Sequence, residues 1–286
     1  MPAYVSTSVC PNGTSVENAI ESLLDQGIEN IELGSTHNHE ENIVATVAHY
    51  DAKFVTHNFF PPNPGRLVLN ISSSDEKVRK ESIAFIKDAI DFAEKMDIPL
   101  YTVHPGFVVD PVGESITKDN YDFRFPQGVS GDTNTAFEHF LNSMFEIEKY
   151  LEDKDVKVAV ETQGSVEKKD LVLFARPQEL QKFLATVKGE KVGINLNLGH
   201  LNLASQAWGF DRKDFVNQIK SKIFAVEVTH NEGVQDEHNP LVKGSWYWDI
   251  LKDEYFKSVP VIFEGRFTSE QNMLDSYNML AETVGS

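Results

Sequence analysis

Short runs of β-branched and apolar residues recur at regular intervals along the chain. They fall at 3–7, 28–33, 52–57, 99–104, 156–161, 191–197, 222–228 and 260–264. Runs of this length, rich in Val and Ile and bounded by polar or turn residues, predict strands. Between them the apolar spacing changes from two to three and four, which predicts helices. In 15–27, Ala19, Ile20, Leu23 and Leu24 form one stripe that ends at Gly27. The segment 74–96 opens with Ser74 as a cap followed by acids, and then repeats apolar residues at helical spacing. Further helices are expected at 134–151, 177–187, 211–219, 246–253 and 268–283.

Eight strands alternating with about eight helices imply repeated right-handed βαβ units and a parallel sheet. Alternation alone fits both a closed barrel and an open doubly wound sheet. Eight strands in 286 residues suit the barrel, which typically takes about 250. No Gly-x-Gly-x-x-Gly turn follows a strand, as a dinucleotide-binding sheet would usually show. The expected fold is therefore α/β, a (β/α)8 TIM barrel. A single domain is expected over 1–286, with its longest irregular insert at 107–131.

Composition narrows the function classes. Twenty-six basic residues against 44 acidic ones give a formal charge of −18. That balance argues against nucleic acid as partner, because phosphate backbones are met by clustered Lys and Arg. It argues equally against an anionic membrane surface. Cys10 is the sole cysteine, so no intramolecular disulfide and no cysteine-based zinc site can form. No basic-then-apolar leader opens the sequence, and no apolar run reaches the roughly 20 residues that span a bilayer. A cytoplasmic location is expected, and a homo-oligomer is compatible with the sequence.

In a barrel of this kind the active site lies at the carboxyl ends of the strands. The residues there are Glu32, His57, His104, Glu161, Asn197, Glu227 and Glu264. Strand ends that feed ordinary turns favour Gly, Asn, Asp and Pro rather than His and Glu. Their alternation along each strand lets all seven point to one centre. His200, three residues past Asn197 through Gly199, is expected to swing over the mouth on a tight turn. Asp236 and His238, one residue apart, are expected to face the same way.

Each residue also has a plainer role. His57 and His104 taken singly fit satisfied core histidines, and Glu264 fits a structural pair with Arg266. His37, His39 and His49 are expected to be solvent-exposed, and His139 to serve packing or the surface. Trp208, Phe59, Phe60 and Phe107 fit either a pocket wall or the core. Arg66, Arg124, Arg176 and Arg212 could meet a phosphate but also fit ordinary surface charges. The convergence of seven strand ends outweighs any single residue.

These motifs taken together resemble the xylose isomerase-like TIM barrel superfamily of sugar phosphate isomerases and epimerases, which also includes endonuclease IV. The resemblance runs nearly the whole length. Its carriers are IEL (31–33), VTHNFFPP (55–62), VHPG (103–106), VAVE (158–161), NLGH (197–200), NEGVQDEHNPL (231–241) and IFE (262–264). VTHNFFPP followed by LVLNISS (67–73) looks like the branch of surface-polysaccharide sugar isomerases.

The resemblance implies one divalent cation held by Glu161, Asn197, Glu227 and Glu264. Asn197 stands where Asp is usual, Glu227 where His is usual, and His230 where the family commonly has Asp. The first two changes cancel in charge, so three carboxylates remain to be neutralised. An all-oxygen set favours Mn²⁺ or Mg²⁺ over Zn²⁺ or Co²⁺.

The resemblance further implies a metal-dependent sugar or sugar phosphate isomerase or epimerase. Such an enzyme moves a proton next to a carbonyl through an enediolate. Glu161 and Glu264 would exchange the proton and His200 would polarise a substrate oxygen. His57, His104, Asp236 and His238 would bind a small carbohydrate, with Glu32 in support. Two alternatives stay open. One is an endonuclease IV-like multi-metal phosphoester hydrolase, using the same positions together with His57, His104, His200, Asp236 and His238 as ligands. The other is a non-catalytic sugar-binding barrel with a degenerate site.

Overall fold

The computed structural model describes residues 3–65, 68–116, 121–266 and 268–285. Arg66, one of the arginines weighed as a phosphate contact, lies outside them. Eight parallel strands close into a ring: β1 (Ala3–Ser6), β2 (Asn30–Leu33), β3 (Lys53–His57), β4 (Leu100–Val103), β7 (Lys157–Glu161), β8 (Val192–Asn197), β9 (Ile223–Val228) and β10 (Val261–Phe263). The ring shuts where β1 pairs with β10 in the register Ala3–Val261, Tyr4–Ile262 and Val5–Phe263. This is the expected (β/α)8 barrel. A hairpin of β5 (Gly113–Ile116) and β6 (Tyr121–Arg124) interrupts the segment expected to be irregular.

Nine helices are described: α1 (Val16–Leu24), α2 (Ile43–Ala48), α3 (Glu76–Lys95), α4 (Thr133–Tyr150), α5 (Pro177–Thr186), α6 (Leu198–Trp208), α7 (Arg212–Ile219), α8 (Tyr247–Leu251) and α9 (Glu270–Val284). Most start where a short polar side chain takes up an otherwise unpaired backbone N–H. Ser15 caps α1, Asp132 caps α4 and Ser269 caps α9. The cap of α3 is Asp75, accepting from Lys77 N, rather than Ser74. Among the described residues no helix is long and apolar enough to cross a membrane.

Two cores result. The larger lies between sheet and helices and includes Ile20, Phe60, Ile86, Phe140, Phe174 and Phe183, all fully buried. The smaller fills the lower barrel with Tyr4, Val55, Leu100, Ala159, Ala225 and Ile262. Side chains of one strand share a face at every second position. The faces that carry Val55, Ala159, Ala225 and Ile262 therefore carry His57, Glu161, Glu227 and Glu264 two residues on. The polar site sits directly on this apolar plug.

Candidate active site

The carboxyl ends of β2, β3, β7, β8 and β9, with the residues just past β4 and β10, bring all seven strand-end side chains to the barrel mouth. Glu32 and Glu227 are fully buried; His57, Glu161, Asn197 and Glu264 are at most 5% exposed. His200 arrives differently from expectation. No loop intervenes after β8, because Asn197 both ends the strand and caps α6, its Oδ1 accepting the His200 N–H at 3.0 Å. His200 is thus placed by the first helical turn. Gly164 lets this turn close in, since a Cβ there would lie 1.9 Å from the His200 carbonyl oxygen.

Three groups of mixed nitrogen and oxygen donors have their ligand atoms mutually within 4.8 Å, and two of them carry two imidazoles and one carboxylate. The first is His57, His104 and Glu161. His104 Nε2 lies 2.8 Å and His57 Nε2 3.8 Å from Glu161 Oε2. The second is His200, Asp236 and His238, whose Nε2 atoms lie 3.2 and 2.9 Å from Asp236 Oδ2. Glu161 links the two clusters, since its Oε1 lies 2.8 Å from His200 Nδ1. His238 is held in the left-handed region at φ 48°, with Nδ1 2.9 Å from the Glu264 carbonyl oxygen. It does not lie in an extended segment with Asp236, yet the two side chains meet. Glu264 stands beside the second cluster, 3.4 Å from His238 Nδ1, and 3.4 Å from Arg266 Nη2. The latter contact is the pair weighed from sequence.

A third group, Glu32, His57 and Glu227, lies beneath. Neither Glu32 oxygen has a well-formed hydrogen bond. Glu227 is held by amides: Asn195 Nδ2 donates to Oε1 at 2.6 Å and Asn197 Nδ2 to Oε2 at 3.0 Å. His57 Nδ1 sits 3.3 Å from Glu227 Oε1 and 2.7 Å from the Thr102 hydroxyl. Asn197 Nδ2 donates also to Glu161 Oε1 at 3.1 Å. Asn197 thus turns nitrogen, not oxygen, toward the carboxylates. As it stands, the expected ligand set of Glu161, Asn197, Glu227 and Glu264 lacks one of its oxygens.

Electrostatics separates the layers. Burial pushes the Glu32 carboxyl well up, and neighbouring Glu227 adds to the shift. Glu227 moves up for the same reason, with Glu161 as the leading charge. Burial would also raise Glu161, but His104 and His200 outweigh it and hold this group well below the usual range. Asp236 feels the same opposition, and His238 and His200 bring it well down. The Glu161 and Asp236 carboxylates are therefore held ionised by the imidazoles around them, and in return they push His200 and His238 up against the effect of burial. Beneath them lies a layer of carboxyls that favours protons.

The mouth opens into a pocket of about 290 Å³. Its lining combines the polar side chains of His104, Glu161, His200, Asp236, His238, Glu264 and Arg266 with the apolar ones of Phe107, Phe123, Phe125, Val172 and Leu203. Of the expected substrate-binding residues, His104, Asp236 and His238 reach this pocket. His57 and Glu32 are not among its lining and lie below. Of the expected aromatic walls only Phe107 lines it; its ring centroid lies 4.8 Å from Phe123 and 5.3 Å from Phe125.

Other expectations change. His37 is buried, not exposed, with Nδ1 2.7 Å from Thr14 O and Nε2 2.8 Å from Thr7 Oγ1. His39 and His49 are exposed as expected, and His139 is half-buried in α4. Phe60 packs in the core against Phe92. Trp208 stacks under Lys169 and Arg176, while Arg212 lies over Trp246, so two candidate phosphate arginines are engaged by indoles. Arg124 is exposed on β6. His230 leans on Glu232 at 3.2 Å and toward Tyr247, outside the pocket lining. Sequence reasoning missed Asn195, whose face and parity with Asn197 were its available signal, and Phe123 and Phe125, which gave none.

Comparison with known proteins agrees with this architecture. A family model described as xylose isomerase-like TIM barrel matches residues 19–283. An uncharacterised protein of Methanocaldococcus jannaschii is 25% identical over 264 residues, covering 90% of this chain and 88% of its own. Among solved structures, a D-tagatose 3-epimerase-like protein superposes with a TM-score of 0.77 at 21% identity, covering 99% of this chain and 97% of its own. Endonuclease IV of Thermus thermophilus superposes with a TM-score of 0.62 at 15% identity, covering 99% of both chains. At these identities the two structures speak to fold.

Proposed function

Because this chain belongs to the xylose isomerase-like TIM barrel family, we propose that it is a metal-dependent enzyme that moves a proton beside the carbonyl of a small carbohydrate. The observation that carries this reading is Glu264. It is a pocket-facing carboxylate outside both imidazole clusters, at the edge of a cavity near the small end of small-molecule sites. The epimerase-like neighbour supports the same class of substrate.

The donor sets fit a cation at each cluster: His57, His104 and Glu161 at one, His200, Asp236 and His238 at the other. Two imidazoles to each carboxylate suit Zn²⁺ or Co²⁺ better than the Mg²⁺ favoured by an all-oxygen set. When bound, such an ion supplies Lewis-acid polarisation of a substrate oxygen. The rest falls to the protein. Glu264 takes the proton next to the carbonyl, and Arg266 and His238 fix its carboxylate. Phe107, Phe123 and Phe125 keep water from the exposed carbon.

The test is deuterium incorporation from solvent into a panel of ketoses and ketose phosphates, followed by NMR. Exchange at the carbon beside the carbonyl, lost after chelation and regained with metal, is the expected result. No exchange on any member, with two ions bound, would remove this reading.

A second reading, phosphoester hydrolysis, is favoured by one observation. The two clusters gather His57, His104, His200 and His238, the imidazoles that the resemblance implies as ligands in the endonuclease IV-like case. With a charge of −18 the substrate would be a small phosphoester rather than duplex DNA. Phosphate release from phosphomonoesters, without carbon-bound exchange, would select it. A barrel that binds sugar but neither metal nor exchanges protons would be the non-catalytic alternative.

A further inference from the structure

Asn197 works in two directions, and one fixes the other. Its Oδ1 accepts the His200 N–H at 3.0 Å, which settles which end of the amide is oxygen. Its Nδ2 therefore faces the barrel centre and donates to Glu161 Oε1 and Glu227 Oε2 at 3.1 and 3.0 Å. Turned over, the amide would set nitrogen against a backbone N–H and oxygen against two carboxylates. Glu227 Oε1 in turn takes the Asn195 amide at 2.6 Å and faces His57 Nδ1 at 3.3 Å. Both Glu227 oxygens thus face N–H groups, and none of its hydrogen bonds points into the pocket.

We propose that the carboxamide of Asn197 stands where a central cation would bridge Glu161 and Glu227, while Asn195 takes up the remaining Glu227 oxygen. Glu227 is then a positioning residue that orients His57 through Nδ1, leaving Nε2 to face His104 and Glu161. The outer clusters as metal sites rest on the function proposed above; the amide bridge stands without it. The amide of Asn197 binds both carboxylates, and Asn195 adds a third N–H to Glu227; these charge–dipole hydrogen bonds need no ion to hold them. A carboxylate at position 197 would change this. Asp caps a helix as well as Asn does, so one oxygen would still serve α6. Its second oxygen would meet Glu161 and Glu227, gathering three anions that only a cation or protons can reconcile.

The experiment is Asn197→Asp, with metal content measured by mass spectrometry after dialysis against Zn²⁺ and thermal unfolding in chelator and in Zn²⁺. The variant is expected to carry one more ion per chain than the wild type. Its melting point in chelator should fall below the wild type's in chelator and recover by roughly 5–10 °C when Zn²⁺ is restored. Glu227→Gln is expected to keep the wild-type ion count while weakening the His57 cluster by about 10–100-fold in affinity. Three results would overturn the inference: an ion between Glu161 and Glu227 in wild-type anomalous maps, no added ion in Asn197→Asp, or the loss of a whole ion in Glu227→Gln. A wild type without metal whose Asn197→Asp variant takes up one ion would keep the amide bridge and reject the two-cluster reading.

Discussion

Two layers of the same barrel, one pleat apart, follow opposite rules. In the lower layer Val55, Ala159, Ala225 and Ile262 meet with no polar atom to satisfy. In the upper layer His57, Glu161, Glu227 and Glu264 occupy the same faces two residues later, nearly as buried. Burying an apolar side chain contributes about 1.5–3 kcal/mol. Burying a charge is costly unless it is paired and hydrogen-bonded. The lower layer can therefore hold the fold, while the upper one exists for what it can bind. A strand of constant geometry changes purpose within two residues.

Paired substitutions should separate the layers. Glu264→Gln is expected to lower proton-exchange turnover by about 10²–10⁴-fold with little change in unfolding free energy. Equal losses of turnover and stability would show that Glu264 is a structural partner of Arg266. Two residues earlier, Ile262→Ala should cost about 2–5 kcal/mol in denaturant unfolding. In the protein that remains folded, turnover should stay near wild type; a selective loss of turnover would join the layers.

Phe123 belongs to neither layer. Phe123→Ala should raise KM by roughly tenfold with kcat nearly unchanged, since it removes a wall that binds ground and transition states alike. A fall in kcat at constant KM would give the wall a part in the chemistry.

The smallest effect is at His37, an ionisable group near the mouth that should behave like the lower layer. Burial lowers its pKa from 6.5, opposed by the Thr14 carbonyl. The unfolded chain therefore binds this proton more readily than the folded one. Its stabilising contribution is complete above pH about 6.5 and declines as the pH falls below that value. In His37→Gln this part of the acid dependence should vanish; an unchanged stability–pH curve would contradict the assignment.

The ring of strands was legible because each carries a compact β-branched run, and the mouth because His and Glu are unusual strand endings. The helix at 198–208 was not. Leu198, Leu201, Leu203 and Ala204 are buried along with Gly199, His200, Asn202 and Ser205, so no polar face marks a helical period. His37 misled for a related reason. Its partners, Thr7 and Thr14, come from other segments, and a lone histidine gives no sign of them. The site residues were visible individually, but their division into two clusters and a lower layer depends on side-chain direction. The Asn197 amide shows this most clearly. Charge counting treated it as a missing anion, whereas hydrogen-bond geometry makes it a donor.

The junction at Asn197 also bears on how such a barrel can diversify. With strand and helix fused and no spacer between them, His200 is positioned by helical phase, as a tooth is by its gear. One residue inserted after Asn197 would rotate the imidazole by about 100° out of the mouth. The connection after β4, which carries Phe107 and Phe123, can lengthen or change without moving any donor of the second cluster. Substrate preference is thus free to drift at the wall while the donors keep their indexing, and a search for altered specificity belongs at 107–125 rather than at 197–200.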